Sequence, residues 1–82
     1  MSDLLAVASQ GDRMPVPKYE RVASAIREQI RSGKLQPGAQ LPTTQQLIEQ
    51  YEVSYGSVRT ALMILKAEGL IEGRPGEGVY VA

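Results

Sequence analysis

The sequence predicts a mainly α-helical fold that ends in a small β-hairpin. Two segments place apolar residues at the spacing of one helical face, i, i+3, i+4 and i+7, and a shorter segment between them carries a third apolar stripe. Near the carboxyl end, a segment rich in glycine separates two short apolar runs, which is typical of a hairpin. We assign residues 1–17 to a flexible arm, because glycine and prolines interrupt them. Residues 18–82 then form one domain, whose core must be small at this length.

The first helix begins near Lys18 and carries a clear apolar stripe. Gly33 follows its last turn and is a suitable terminator, because glycine adopts the left-handed conformation that ends many helices. The three arginines of this helix lie on other faces, and we expect them to be ordinary surface charges. The stripe consists of Tyr19, Val22, Ala23, Ile26 and Ile30, and the arginines are Arg21, Arg27 and Arg31.

Two further helices follow, separated by about three residues. Thr43, with Gln46 three positions later, predicts a capping box at the start of the second helix, which ends at residues 52–53. Ser54 is a good N-cap for a third helix that extends to Glu68. Two short helices joined in this way have the layout of a helix-turn-helix. The core stripe of the third helix consists of Val58, Ala61, Leu62 and Leu65.

The hairpin that follows completes the predicted fold. Residues 70–72 and 79–81 form the two strands, and residues 73–78 form the loop, because they contain three glycines and a proline. A hairpin beside a helix-turn-helix makes a wing. The sequence therefore predicts a winged helix-turn-helix with a wing of two or three strands.

The composition argues against an enzyme and against a membrane protein. The chain has neither cysteine nor histidine, so neither a thiolate zinc site nor a nucleophile–base pair can be proposed from the spacing. We therefore expect no catalysis, no metal and no cofactor. The apolar runs are too short to cross a bilayer, and residues 2–8 lack the basic leader of a signal peptide. We expect a cytoplasmic protein.

The net charge leaves two kinds of function open. Nine Lys and Arg balance nine Asp and Glu, whereas a protein that binds nucleic acid usually carries a basic excess. Cations are in excess over residues 18–34, and carboxylates are in excess over residues 35–82. Contact with DNA would therefore depend on where a few cations are placed. The alternative is a winged helix that acts as a protein–protein interaction module.

The third helix, residues 54–68, is the candidate recognition helix because its first turn is polar. Its core stripe starts only at Val58, so the preceding turn can enter the major groove, which is about 12 Å wide. Backbone amides and serine hydroxyls at a helix N-terminus suit phosphate oxygens. Arg59 is a candidate for reading guanine through two hydrogen bonds, although it could equally pair with a nearby carboxylate. The candidate contacts on this helix are Ser54, Tyr55, Gly56, Ser57 and Arg59.

The wing loop is the second candidate contact, at the minor groove. Residues 73–78 can lie along the DNA backbone and direct Arg74 toward that groove, and Gly76 would let the main chain approach a phosphate closely. Both residues also have ordinary interpretations, because loop arginines are usually solvated and turn glycines satisfy backbone geometry.

Three motifs in order resemble the GntR family of bacterial transcription regulators. Residues 41–47, Leu-Pro-Thr-Thr-Gln-Gln-Leu, are similar to its pattern Leu-Pro-Ser-Glu-Arg-x-Leu. Residues 53–59, Val-Ser-Tyr-Gly-Ser-Val-Arg, are similar to Val-Ser-Arg-x-Thr-Val-Arg. Residues 76–81, Gly-Glu-Gly-Val-Tyr-Val, resemble its wing. The resemblance covers about residues 18–82.

The resemblance implies a cytoplasmic repressor that binds palindromic double-stranded operators as a homodimer. In the family, a domain that binds an effector and dimerises normally follows the DNA-binding domain, so we expect a small-molecule effector only if the chain continues beyond residue 82. Two arginines that commonly touch DNA in the family are replaced here by Gln45 and Tyr55. Gln45 can still bond a phosphate or an adenine edge, and Tyr55 can donate to a phosphate or stack on a sugar. We expect the log–log salt dependence of binding to flatten by about 0.9 in slope for each phosphate that the replacements leave without a cation.

Overall fold

A computed structural model of the chain describes residues 16–82. Over that range the elements are α1 (Lys18–Arg31), α2 (Thr44–Tyr51), α3 (Tyr55–Ala67), β1 (Ile71–Arg74) and β2 (Gly78–Val81). The predicted order of helix, helix, helix and hairpin is confirmed. Most of the predicted arm, residues 1–15, lies outside the described residues, so the boundary at residue 17 stays a prediction. No helix within residues 16–82 is long and apolar enough to cross a membrane.

The helix ends follow the signals in the sequence. In the capping box of α2, the Gln46 amide donates to Thr43 Oγ1 at 3.1 Å, and the Thr43 amide donates to Gln46 Oε1 at 2.8 Å. At α3 the Ser54 hydroxyl accepts a hydrogen bond from the Ser57 amide at 3.1 Å. Gly33 has φ +85° just beyond the end of α1. These local bonds fix where α2 and α3 begin, and therefore which residues occupy the first turn of α3.

The turn between α2 and α3 is tight. Glu52 adopts the left-handed conformation, with φ 54°, and its neighbour Val53 is buried in the core. A non-glycine residue rarely adopts this conformation, so the tertiary packing holds the turn. The two helices are consequently joined as a helix-turn-helix through residues 52–54.

The apolar stripes of the three helices meet in one core. α1 packs mainly against α3, and α2 also packs against α3. Tyr19 and Tyr51 are half-buried against this core, as expected for packing residues. The buried residues are Val22, Ala23, Ile26, Leu41, Leu47, Val53, Val58, Ala61, Leu62, Leu65, Ile71 and Val81. Because α3 is at the centre of the core, its orientation is set by packing along most of its length.

The hairpin is longer and its loop shorter than the sequence suggested. Gly73 pairs with Val79 and Arg74 pairs with Gly78, so both strands extend into the predicted loop 73–78. The connection consists of residues 75–77 and closes with a hydrogen bond from the Glu77 amide to the Arg74 carbonyl at 2.8 Å. The glycines misled the prediction because glycine weakens strands without preventing ladder pairing. Arg74 is therefore a strand residue.

A third short strand segment joins the hairpin. Gln40 forms an isolated antiparallel bridge with Tyr80. The Leu41 amide donates to the Val79 carbonyl at 2.8 Å, and the Val81 amide donates to the Ala39 carbonyl at 2.8 Å. The wing thus has two full strands and a third reduced to a single bridge, within the predicted range of two or three.

An ion pair ties α1 to the carboxyl end of α3. The Arg27 guanidinium donates two parallel hydrogen bonds to the Glu68 carboxylate, both at 2.9 Å. These bonds are the main reason that the pKa of Arg27 is raised and the pKa of Glu68 is lowered. Arg27 is a surface charge, and the tertiary fold pairs it with a carboxylate 41 positions away.

Candidate nucleic-acid interface

The first turn of α3 is bare of core contacts. Ser54, Tyr55 and Gly56 are exposed, and Ser57 is half-buried. The core begins at Val58, which is fully buried. Arg59 is again exposed. The geometric requirement for entering a groove is met within residues 16–82, because no described residue covers this turn.

The two serines of the turn have different bonding states. The Ser54 hydroxyl accepts from the Ser57 amide and donates to the Ser57 Oγ at 3.2 Å. The N-cap role of Ser54 is therefore confirmed. The two hydroxyls can exchange donor and acceptor roles, so either serine can donate to a phosphate oxygen.

Arg59 presents an exposed positive charge beside Tyr55. Its Nη1 donates to the Tyr55 hydroxyl at 3.3 Å, and its guanidinium carbon lies 5.9 Å from the centre of the tyrosine ring. None of the ion pairs formed within residues 16–82 involves Arg59. The alternative that Arg59 pairs with a carboxylate on its own helix is therefore not what the described structure shows.

Gln45 and Gly56 lie on exposed surfaces of α2 and α3. The Gln45 amide nitrogen donates to Glu49 Oε2 at 3.1 Å, one turn along α2, which leaves its second N–H and its carbonyl oxygen for DNA. A side-chain carbon placed at Gly56 would meet only Ser54 Oγ, at 3.9 Å. The space outside Gly56 is therefore open to a ligand.

The wing arginine is held on the surface of its own hairpin. Arg74 Nε and Nη2 donate to Glu72 Oε2 at 3.1 and 2.9 Å. The guanidinium carbon lies 4.2 Å from the centre of the Tyr80 ring. Gly76, at the tip, is exposed with φ +78°. The wing therefore presents backbone at its tip, whereas the charge of Arg74 is balanced within the hairpin.

Met63 and Lys66, which were not among the predicted contacts, continue the exposed face of Arg59. They follow Arg59 at i+4 and i+7, and Met63 is 61% exposed. Lys66 Nζ lies beside β1, 3.2 Å from the position that a side-chain carbon at Gly73 would occupy. An open depression of about 430 Å³ lies between α3 and the hairpin, lined in part by Lys66 and Gly73. The helical spacing from Arg59 was the signal that could have found both residues.

Comparison with known proteins identifies the family. The family model of bacterial regulatory proteins, gntR family, matches residues 18–81. The chain belongs to this family. The family and the winged helix-turn-helix predicted from the sequence are both confirmed.

The relatives of the chain are bacterial regulators of greater length. The HTH-type transcriptional regulator LutR of Bacillus subtilis is 48% identical over 52 residues, which are 63% of this chain and 24% of LutR. The mannosyl-D-glycerate transport/metabolism system repressor MngR of Escherichia coli is 43% identical over 65 residues, which are 79% of this chain and 27% of MngR. The chain thus spans about a quarter of these curated relatives.

A solved structure with the same fold holds DNA. The DNA-binding domain of AraR in complex with operator ORE1 matches with a TM-score of 0.80 and 35% identity, over 83% of each chain. The fold of the present chain is therefore one that carries an operator in that protein. The individual DNA contacts assigned to this chain stay predictions.

Proposed function

We propose that the chain is the operator-binding domain of a bacterial transcription regulator, a repressor that acts in the cytoplasm. The observation that carries the proposal is the bare first turn of α3, the second helix of the helix-turn-helix. This part of α3 exposes Tyr55, Gly56 and Arg59. Membership of a family of bacterial regulatory proteins supports it, as does the shared fold with the AraR domain on its operator. The binding domain comprises residues 18–82.

In this proposal α3 enters the major groove and the wing lies at the adjacent minor groove. Arg59 reads a guanine edge through two hydrogen bonds. Ser54, Ser57 and the first amides of α3 contact phosphates. Gly56 lets the helix approach closely. Gln45 on α2 contacts a DNA phosphate or an adenine edge. Tyr55 lies beside Arg59 on α3.

At the wing, Arg74 reaches the minor groove and Gly76 brings the main chain to a phosphate. The Glu72 carboxylate holds the Arg74 guanidinium in the described structure. DNA must therefore compete with this carboxylate for the guanidinium. We infer that the wing contributes less affinity than α3, since Arg74 gives up one favourable interaction as it forms another.

The regulator binds a palindromic operator as a homodimer. One domain of this size covers one half-site, and two-fold symmetry in the protein is matched by symmetry in the DNA. A small-molecule effector belongs to the proposal only where a further domain accompanies residues 18–82. Catalysis does not belong to it, because a sequence without histidine or cysteine offers no nucleophile–base pair.

A winged helix that binds another protein is the second candidate function. The formal net charge of zero favours it, since duplex DNA attracts a basic surface. The net charge of the whole chain does not describe the first turn of α3, where Arg59 is exposed and pairs with no carboxylate among residues 16–82. Local charge placement therefore weakens the argument from net charge.

Fluorescence anisotropy separates the two functions. The 82-residue chain, tethered as a dimer, is titrated onto random duplexes and onto duplexes that it selects from a randomised library, over a salt series. Arg59→Ala should abolish selective binding and leave the unfolding midpoint nearly unchanged. Arg31→Ala is the matched control. Arg31 lies one turn beyond Arg27 on α1, and Arg27 contacts Glu68 at the opposite end of α3 from the proposed DNA contacts. Failure of the tethered chain to bind any duplex at low salt would favour the protein-interaction function.

A further inference from the structure

We propose that Tyr55 is a positioning residue that orients the Arg59 guanidinium for base recognition and so determines specificity. The inference rests on the proposed function, because it concerns how the same site reads DNA. It goes beyond a phosphate contact by Tyr55, since the effect of the tyrosine is exerted through Arg59.

The contact between the two side chains carries the inference. Tyr55 and Arg59 are one helical turn apart on the exposed face of α3, and Nη1 donates to the phenol oxygen at 3.3 Å. The guanidinium carbon is 5.9 Å from the ring centre, within the range of a cation–π contact. Among residues 16–82, Tyr55 is the side chain to which the Arg59 guanidinium donates a hydrogen bond. No carboxylate in that range forms an ion pair with Arg59.

The chemistry of the partner makes this an orienting contact. A phenol oxygen is a neutral acceptor, so it limits the rotamers of Arg59 without cancelling its charge. Glu72 has the opposite effect on Arg74, because a carboxylate balances the guanidinium that it holds. The tyrosine uses one of five guanidinium donors, which leaves others for the O6 and N7 atoms of guanine.

Orientation matters because a base contact through two hydrogen bonds has a narrow geometry. An arginine side chain is flexible, and ordering it on binding opposes the gain from the contact. A side chain already oriented by a neighbour loses less conformational entropy on binding. The resulting gain in binding free energy is realised only where the base presents two acceptors in the right places. Tyr55 therefore raises the preference for guanine at one base pair more than it raises overall affinity.

A phosphate anchor at Tyr55 would behave differently. Removing a phosphate anchor weakens binding about equally on every sequence and reduces the salt slope, whereas removing support for a base contact relaxes specificity at one position. The two roles can therefore be separated by measuring binding to duplexes that differ at single base pairs.

The test compares the tethered 82-residue chain with Tyr55→Phe, Arg59→Ala and the double variant. The probes are the duplex that the wild-type chain selects and a set with one base pair changed at a time. Tyr51→Phe is the matched control, because it removes a part-buried phenol oxygen that accepts from Gln29 of α1. Unfolding midpoints are measured for every variant.

We expect Tyr55→Phe to lower discrimination at one base pair roughly three- to tenfold, the effect of a hydrogen bond of ordinary net strength. Ratios at the other positions and the salt slope should stay unchanged. In the Arg59→Ala background, where base selection is already lost, Tyr55→Phe should leave the remaining affinity for duplex DNA unchanged. An equal loss on all duplexes, an unchanged base preference, or a further loss of affinity in the Arg59→Ala background would overturn the inference while leaving DNA binding intact. Failure of the wild-type chain to bind any duplex would overturn both proposals.

Discussion

Replacement of Gly56 by alanine should separate stability from DNA binding. Gly56 is the second residue of α3, and it is exposed. It does not have the positive φ found at other glycines of the chain. The new methyl group would meet only Ser54 Oγ, at the ordinary contact distance of 3.9 Å. The protein itself therefore accepts alanine at this position without strain.

The expected gain in stability follows from helix propensity. Glycine to alanine at a compatible helical position stabilises a protein by about 0.4–1 kcal/mol, largely because the unfolded chain loses conformational freedom. For a domain of this size, 1 kcal/mol raises the melting temperature by about 4–8 °C. Gly56→Ala should therefore raise the melting temperature by about 2–8 °C, measured by circular dichroism.

The same methyl group should weaken DNA binding. It projects from the face of α3 that we place in the major groove, and overfilling a closely packed site costs about 1–3 kcal/mol. That range corresponds to a loss of affinity of roughly five- to 150-fold. Anisotropy with the selected duplex measures it.

Ser24→Ala is the matched control for this prediction. Ser24 is exposed in the middle of α1, so alanine should raise helix stability there and leave DNA binding unchanged. A Gly56→Ala variant that melts earlier would contradict the helical first turn of α3. A variant that melts later and binds as tightly as the wild-type chain would show that Gly56 is not at the interface.

Three further variants test other parts of the structure. Glu68→Gln removes a carboxyl whose pKa Arg27 holds below the ordinary value of 4.5. The ion pair stabilises the folded state above that pH, and this stabilisation is lost as the pH falls through the lowered pKa of the folded state. The wild-type melting temperature should therefore fall more steeply below about pH 4.5 than that of the variant, and parallel curves would refute a stabilising pair. Glu72→Gln releases Arg74 and should tighten DNA binding and steepen the log–log salt slope by about 0.9 if Arg74 gains a phosphate; unchanged binding would place Arg74 outside the interface. Leu65→Ala empties a fully buried position and should cost about 2–5 kcal/mol in urea unfolding, and a cost below about 1 kcal/mol would contradict the described core.

The helices were predictable because their signals are local. The capping box at Thr43 and Gln46 and the N-cap at Ser54 depend on residues three positions apart. The apolar spacing that begins at Val58 predicted both the core face of α3 and the exposed turn before it. Each of these features depends on residues that lie within one or two helical turns of each other in the sequence.

The wing and the ion pairs were less predictable because they depend on distant partners. Gly73 and Gly78 indicated a loop from composition, but ladder pairing with residues across the hairpin determines that they lie in strands. The tie between Arg27 and Glu68 joins α1 to the end of α3, and no spacing rule connects them. For Arg59 the sequence left a carboxylate partner open, whereas side-chain geometry gave it the hydroxyl of Tyr55.

The strand segment at Gln40 links the wing to the helix-turn-helix. Its backbone bridges to Tyr80, and its side-chain amide donates to the Glu77 carbonyl at 3.1 Å near the wing tip. Gln40 also lies three residues before Thr43, the cap that starts α2. The hairpin is thereby fastened to the chain that enters the helix-turn-helix, so the offset between helix and wing exists before any duplex arrives. In the proposed complex, a duplex that accepts α3 must present its minor groove to the wing at that offset, so groove width and bending would be sensed at base pairs that no side chain touches.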